Sequence, residues 1–384
     1  MKTSGSFTLI YVLGFLFTLH AALPVYVNSS FLSVFAKEET VSVLYAFASL
    51  LSIIFFFAVP RFLRKYGNGQ VTFFFLILEF LSIFALATFS DPLILVIGFI
   101  GSFTAGALIT FSLDIILESS SENKSTGSTR GTFLTVVNFA WVLSPIIMSL
   151  VLKDGEYKNI YFISAALLIP SAFFFFLKLR NFRDPDYQNV SLRKTFISLG
   201  ERKDVRKIFV ANFILQFFYA WMVIYSPIYL HEYAGFSWGD IGIIFTIMLL
   251  PFILLQRPLG RIADRLLGEK EILISGFVIS ALSVALIPFI TGKSLIVWGG
   301  LLFITRVGAS MIEVMSETYF FKKIGDRDAG LIGLFRTARP FAYIIAPILA
   351  VTLLYFIDLK YLFLVLGAIM LFGIRYGLSI KDTK

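Results

Sequence analysis

Long apolar runs separated by short polar stretches dominate the pattern of this chain. A helix needs about 20 predominantly apolar residues to cross the hydrocarbon core of a bilayer. The runs predict membrane-spanning helices over residues 7–27, 40–60, 71–89, 93–113, 132–152, 159–179, 208–230, 239–257, 272–291, 295–315, 331–356 and 360–378. We therefore predict an all-α membrane protein with twelve transmembrane helices.

The longest polar stretch lies at the middle of the chain. Residues 180–207, with Lys178, contain nine basic and four acidic residues and separate six predicted helices from six. We predict an N-terminal six-helix bundle over residues 1–179, a cytoplasmic linker over 180–207 and a C-terminal six-helix bundle over 208–384. Two interpretations of the linker are open: a short amphipathic helix on the membrane surface, or a solvated connector.

The composition limits the class of protein. Hydrophobic residues make up 58% of the chain and charged residues only 15%, whereas soluble domains contain roughly 25% charged residues. A soluble globular protein is therefore excluded. The absence of cysteine removes thiolate chemistry and disulfides, and two histidines are too few for most histidine-based metal centres. We expect no metal site and no cofactor.

The basic residues are distributed unequally between the two faces of the predicted membrane protein. Twenty-five fall on the side of the N-terminus and the linker, five fall on the opposite side and three lie within spans. Because cytoplasmic loops are enriched in lysine and arginine, both termini are predicted to be cytoplasmic in a cell-membrane protein. This placement explains the net charge of +9 without a nucleic-acid partner.

The two halves of the chain repeat each other. Residues 131–148 align without gaps on residues 333–350, an offset of 202, with seven identities in 18 positions. The same offset places Gly106-Ala107 on Gly308-Ala309, and an offset of 203 pairs Pro24-Val25-Tyr26 with Pro227-Ile228-Tyr229. Three matches in the same order imply an internal duplication.

The loop after the predicted eighth helix contains a recognisable motif. It places Gly260, Asp264, Arg265 and Gly268 in a pattern that resembles the major facilitator superfamily signature G-x-x-x-D-R-x-G-R-[RK], with one extra residue before the second glycine. The corresponding first-half loop is degenerate, since Arg64 occupies the position of the aspartate. The resemblance in helix count, central linker and paired loops covers the whole chain.

This resemblance implies two pseudo-symmetric six-helix bundles and a secondary active transporter that works by alternating access. In such proteins the first, fourth, seventh and tenth membrane spans line a central cavity. The expected partners are a small-molecule substrate, protons and membrane lipids, and we expect a monomer.

Arg306, Glu79 and His20 are ionisable side chains near the middle of predicted spans, where charge is costly and often functional. Arg306 either binds an anionic group, influences a nearby acid, or donates to carbonyls of a neighbouring helix. Glu79 either loads and releases protons or is a neutral acid satisfied by a neighbour. His20 either relays protons, binds substrate, or makes one structural hydrogen bond.

The seventh predicted span, residues 208–230, carries a polar stripe at helical spacing, Asn212, Gln216 and Tyr219. This stripe suits either a wet substrate path or contacts between helices. Aromatic and polar positions on other spans are weaker candidates. The predicted substrate or proton pathway comprises His20, Glu79, Asn138, Trp141, Gln216, Tyr219, Arg306 and Tyr343.

Charged residues near the predicted cytoplasmic face form a separate group. Each of two spans ends with a pair of acids spaced i, i+4, which share one helix face. We predict two equivalent ion-pair clusters, which the resemblance implies would latch the outward-open form; the alternative is ordinary interfacial charge. The gating and loop residues are Arg61, Arg64, Lys65, Asp114, Glu118, Gly260, Arg261, Asp264, Arg265, Gly268, Glu313, Glu317, Arg336 and Arg339.

Among transport functions, the sequence favours proton-linked export of small amphipathic compounds. The alternatives are proton symport or facilitated uptake of a metabolite such as a sugar or organic anion. A sensor or lipid-handling protein on the same fold is an alternative of another class. The absence of clustered histidine, aspartate or nucleophile motifs argues against an enzyme.

Overall fold

A computed structural model describes residues 4–120, 126–152, 156–178, 192–263, 268–324 and 329–381. This part of the chain is built from helices, with a π-helical turn at Tyr229–Tyr233 and a 3-10 turn at Ile287–Phe289. The α-helices are α1 Ser4–Val25, α2 Asn28–Ser33, α3 Glu38–Tyr66, α4 Asn68–Thr88, α5 Pro92–Ser120, α6 Thr126–Val151, α7 Tyr157–Lys178, α8 Leu192–Glu201, α9 Lys203–Ile228, α10 Trp238–Leu254, α11 Gln256–Ile262, α12 Glu269–Ala285, α13 Leu295–Lys323, α14 Ala329–Arg336, α15 Ala338–Leu354 and α16 Leu359–Ser379.

The number of apolar helices agrees with the prediction from hydropathy. Within the described residues, eleven helical segments are long and apolar enough to cross a membrane, and a shorter apolar helix spans Thr135–Val151. The chain divides into two compact units, Met1–Gln188 and Asn189–Lys384. The described end of the predicted linker forms a helix, α8, over Leu192–Glu201.

Two of the predicted spans, 239–257 and 331–356, are each built from two helices rather than one unbroken helix. The eighth breaks between α10 and α11 at Leu255, and the eleventh breaks between α14 and α15 at Thr337. Proline cannot donate to the carbonyl four residues before it and crowds that carbonyl. Pro258 and Pro340 lie four residues after Leu254 and Arg336, the last residues of α10 and α14.

The repeated proline of the first and seventh spans has the same local consequence in both halves. Regular α-helix ends at Val25, one residue after Pro24, and at Ile228, one residue after Pro227. The missing N–H of each proline removes the helical bond to the carbonyl four residues earlier, that of His20 in the first unit and that of Val223 in the second. The repeat inferred from sequence therefore extends to backbone conformation.

Two glycines give further support to the duplication. Gly67 precedes α4 and Gly268 precedes α12, and their φ angles are 81° and 83°. A positive φ is strained for residues with a Cβ, so glycine suits both tight connections. The two positions are 201 residues apart, close to the offset of the sequence repeat.

Candidate functional site

A buried polar network joins four helices of the first unit. His20 on α1 and Glu79 on α4 are 0% and 2% exposed, and His20 Nε2 lies 3.0 Å from Glu79 Oε1. Ser102 on α5 donates to the same carboxyl oxygen at 2.8 Å. Ser164 on α7 contacts the other imidazole nitrogen, Nδ1, through its hydroxyl at 2.7 Å and its carbonyl at 3.1 Å.

Pro24 explains part of this arrangement. Its missing N–H leaves the carbonyl of His20, four residues earlier, without its usual helical donor. The hydroxyl of Ser164 donates to that carbonyl at 3.0 Å. In a membrane protein every freed backbone group needs such a partner inside the protein. The proline therefore fixes where α7 places its serine, and the serine in turn fixes the imidazole.

The donors and acceptors of the network identify where its protons reside. The backbone carbonyl of Ser164, 3.1 Å from His20 Nδ1, can only accept a hydrogen bond, so Nδ1 is assigned as the donor. Nδ1 therefore carries a hydrogen, and a shared proton lies between Nε2 and Glu79 Oε1. Glu79 Oε2 is buried and has no hydrogen-bond partner among the described residues. A further proton has an acceptor there.

The corresponding contact in the second unit lacks the acid. Gly106 on α5 faces Glu79, since a Cβ built on it would lie 3.8 Å from Oε1. The repeated glycine, Gly308 on α13, instead faces Ser280 on α12. The offset of 203 places Val223 at the position of His20. The helix packing of the fold is therefore compatible with a serine and a valine at these two positions.

Arg306 is a buried charged residue of the second unit. It lies eleven residues after Leu295, the first residue of α13, and is 2% exposed. Its guanidinium carbon lies 4.9 Å from the ring centroid of Phe218 and 5.5 Å from that of Tyr219, both on α9. Its Nη1 is buried without a hydrogen-bond partner among the described residues.

The predicted polar stripe of α9 divides into two parts. Gln216 donates to Asn212 at 3.4 Å, so these amides satisfy each other in part. Tyr219 continues toward α13, where its hydroxyl lies 3.4 Å from Glu313 Oε2. Gln256 at the start of α11 also reaches that oxygen at 3.4 Å. Tyr219 thus contacts both Arg306 and Glu313.

In the second predicted ion-pair cluster, Glu317 and Arg336 form an ion pair. Arg336 Nη1 lies 2.9 Å from Glu317 Oε1, with both side chains about one-third exposed. Arg339 instead lies over the ring of Tyr343 at 5.8 Å. Gly260 lies within α11.

Much of the first-half cluster falls outside what is described. Arg61, Arg64 and Lys65 are exposed at the end of α3. A hydrogen bond with Tyr66 raises the pKa of Lys65 above its ordinary value. The side chains of Asp114, Glu118 and Arg261, and all of Asp264 and Arg265, lie outside the described residues. Asn138 and Trp141 are partly exposed on α6.

Several buried contacts were missed by reasoning from sequence. Ser102 and Ser164 gave no signal beyond being small polar residues within spans. Glu269 is 1% exposed at the start of α12 and pairs with Lys322 at 2.6 Å. Its position directly after Gly268 was a usable signal, because it follows the second glycine of the loop motif. Among the described residues, no group of three or more His, Cys, Asp or Glu could hold a metal ion.

Comparison with known proteins places these features in a family. A family model described as Major Facilitator Superfamily matches residues 5–331, and a second match covers residues 208–380. The crystal structure of the nucleoside transporter NupG is similar, with a TM-score of 0.78 and 13% identity over 98% of this chain and 99% of that chain. A search of curated protein sequences found no significant match.

POT family transporters share the fold as well. A POT family transporter in complex with a thioalcohol conjugated peptide has a TM-score of 0.76 and 14% identity, over 97% of this chain and 94% of that chain. The POT family transporter PepTSo has a TM-score of 0.74 and 11% identity, over 98% of both chains. Both the family match and the twelve-helix fold agree with the resemblance seen in sequence. The chain therefore belongs to the Major Facilitator Superfamily and is a multi-pass membrane transporter, not an enzyme.

Proposed function

We propose that this transporter couples solute movement to protons through His20 and Glu79. The supporting observation is the fully buried pair with a 3.0 Å contact and a carboxyl oxygen, Oε2, that has no partner among the described residues. Such a pair exchanges protons as a unit, because removing the shared proton leaves two acceptors facing each other. Ser102 connects the pair to α5, the fourth span, which the family assigns to the central cavity.

The proton cycle has two states. In the loaded state one proton is shared between imidazole and carboxylate and a second occupies Glu79 Oε2, which leaves a buried positive charge. In the unloaded state Oε2 is bare and the pair is neutral overall. Because a buried net charge is costly, the loaded pair favours a conformation that gives it water or a counter-charge. Solute transport is then driven by the difference in proton occupancy between the two membrane sides.

The duplication supports a functional origin for the pair. Ser280, 201 residues after Glu79, and Val223, 203 residues after His20, occupy the corresponding positions of the second unit, and neither side chain carries a charge. The second unit packs its helices without such a pair, so packing alone does not explain why the first unit buries an acid and an imidazole, whose desolvation costs free energy. The simplest purpose for one buried acid and one imidazole in contact is proton transfer.

The finer features of this proposal follow the sequence. We propose outward transport of amphipathic compounds, in the cell membrane, by a monomer with both termini cytoplasmic. The two bundles, 1–179 and 208–384, would rock about the linker, and the Glu317–Arg336 pair would break and form during the cycle. The remaining pathway residues, Asn138, Trp141 and Tyr343, are proposed to line the solute path.

Solute-dependent proton flux in proteoliposomes tests this function. Purified protein is reconstituted with an internal pH-sensitive dye, and sugars, organic acids, nucleosides, peptides and dyes are added outside in turn. Wild-type protein is expected to move protons with at least one solute, and Glu79→Gln to translocate that solute without proton movement. Exposed Glu201→Gln is the matched control. Solute translocation without proton flux in the wild type contradicts the proposal, and the sign of the flux separates antiport from symport.

A further inference from the structure

We propose that Arg306 is the binding site for the carboxylate of a small organic acid with an apolar body, and that this acid is the transported solute. The inference rests on the proposed function, because the acid is proposed to be the solute that this transporter moves. The observations that support it all concern residues of the second unit and do not involve His20 or Glu79.

The first feature is a full charge in the middle of a membrane-spanning helix. Arg306 lies about 16 Å from the start of α13, at 1.5 Å per residue, and its span is Leu295–Phe320. At 2% exposure the side chain does not reach water at either end of the span. Arginine at this depth is costly and marks a ligand or ion pathway by default.

The second feature is the absence of a counter-ion. No acid of the described residues lies within ion-pair distance of Arg306, and Nη1 is buried without a partner. Arginine cannot lose its charge as lysine can, because its guanidinium is protonated at all physiological pH values. A permanent buried cation with a free N–H edge requires an anion in at least one state of the transport cycle.

The third feature is the chemistry of the walls. Phe218 and Tyr219 present ring faces to the guanidinium at 4.9 and 5.5 Å. These rings stabilise the cation without neutralising it, and they leave the N–H edge for a planar acceptor. A carboxylate matches such an edge, and an apolar body attached to it would pack against the same rings. A buried guanidinium beside two aromatic rings therefore favours an amphipathic acid over a neutral sugar.

The duplication again separates function from packing. The offset of 202 places Thr104 of α5 at the position of Arg306. Thr104 is 4% exposed and lies 3.5 Å from the carbonyl of Ala48. A small neutral side chain thus suits this position in the first unit. Arg306 is a specialised feature of the second unit.

Thermal unfolding of the purified protein in detergent tests the site directly. The probes are benzoate, phenylacetate and hexanoate, each compared with its neutral amide. At about ten times its Kd a ligand shifts folding about elevenfold, which raises Tm by about 3–6 °C for a unit of this size. At least one acid is expected to stabilise wild-type protein in this way, and its amide is not. Arg306→Met is expected to lose the shift, with at least a tenfold weaker Kd.

The unliganded variant gives an independent readout. Removing an uncompensated buried charge is expected to leave the Tm of Arg306→Met equal to or above that of the wild type. Arg375→Met, at an exposed position on α16, is the matched control and should keep the ligand shift. A lower Tm for Arg306→Met, equal shifts by acids and amides, or no shift by any acid would each overturn the inference.

Failure of this inference can be distinguished from failure of the proposed function. Glu79→Gln should bind the acid as the wild type does, since the proposed contacts to the acid come from Arg306, Phe218 and Tyr219. Carboxylate binding without proton flux in vesicles contradicts proton coupling alone. Proton flux driven by a neutral solute, with no carboxylate binding, contradicts the Arg306 site alone.

Discussion

Alanine at two equivalent glycines is predicted to have opposite effects. Gly308 packs so closely on α12 that a Cβ there would lie 2.5 Å from the carbonyl oxygen of Gly276 and 2.6 Å from the amide nitrogen of Ser280. Both are backbone atoms, so relief requires separation of α12 and α13. The equivalent Gly106 would place its Cβ 3.8 Å from Glu79 Oε1, an ordinary contact distance.

The magnitude follows from two opposing terms. Overpacking costs about 1–3 kcal/mol, and two backbone clashes place Gly308→Ala near the upper end. Alanine gains about 1 kcal/mol over glycine in helix propensity. The net loss is about 2 kcal/mol for Gly308→Ala, whereas Gly106→Ala gains up to about 1 kcal/mol. At about 2–4 °C per kcal/mol, the Tm should fall by about 4–8 °C in the first variant and rise by about 2–4 °C in the second.

The assay is thermal unfolding of both variants in one detergent, followed by tryptophan fluorescence. Its control is Gly200→Ala, at an exposed glycine of α8 that has no atom within 4 Å of a Cβ. Equal Tm changes in the two variants would refute the reasoning. That result would mean that the helices on either side of Glu79 pack as closely as their equivalents, which leaves no room for a functional carboxyl.

Two further predictions concern buried partners. Ser164→Ala should cost about 1–2 kcal/mol because the carbonyl of His20 loses its donor, and adding Pro24→Ala should recover part of that loss, as a double-mutant cycle in Tm would measure. If Pro24→Ala restores none of the stability lost in Ser164→Ala, the proposed link between this proline and the serine is contradicted. Lys322→Met should cost about 2 kcal/mol, because it removes a partner of a carboxylate that is 1% exposed. Arg336→Met should cost less than about 1 kcal/mol, because its ion pair is part-exposed; equal losses contradict this ranking.

The sequence was sufficient for the fold because membrane crossing imposes a strong pattern. Every span needs an apolar run of a given length, and both halves repeat one plan. The interruptions at Leu255 and Thr337 were missed although their cause, a proline three residues later, was visible. A continuous apolar run hides a broken helical ladder, because hydropathy reports the side chains and not the backbone hydrogen bonds.

The candidate site was only partly accessible from sequence. His20 and Glu79 were each selected because polar groups inside a bilayer are rare, but their contact joins residues 59 positions apart. Hydropathy alone does not give the rotation of α1 and α4 about their axes. Ser164 could not be selected, since its role depends on a carbonyl that another helix leaves free. The contact between Glu313 and Tyr219 was missed because hydropathy does not give the rotation of α9 and α13 about their axes.

Comparing exchange with accumulation in the Glu79→Gln variant tests proton coupling most directly. The solute identified by the flux screen is radiolabelled, and proteoliposomes are assayed for counterflow without a pH gradient and for net movement with one. Our account predicts that Glu79→Gln keeps counterflow close to the wild-type rate and loses movement driven by the pH gradient. Gradient-driven movement at the wild-type rate in Glu79→Gln would contradict the assignment of this carboxyl as the proton site.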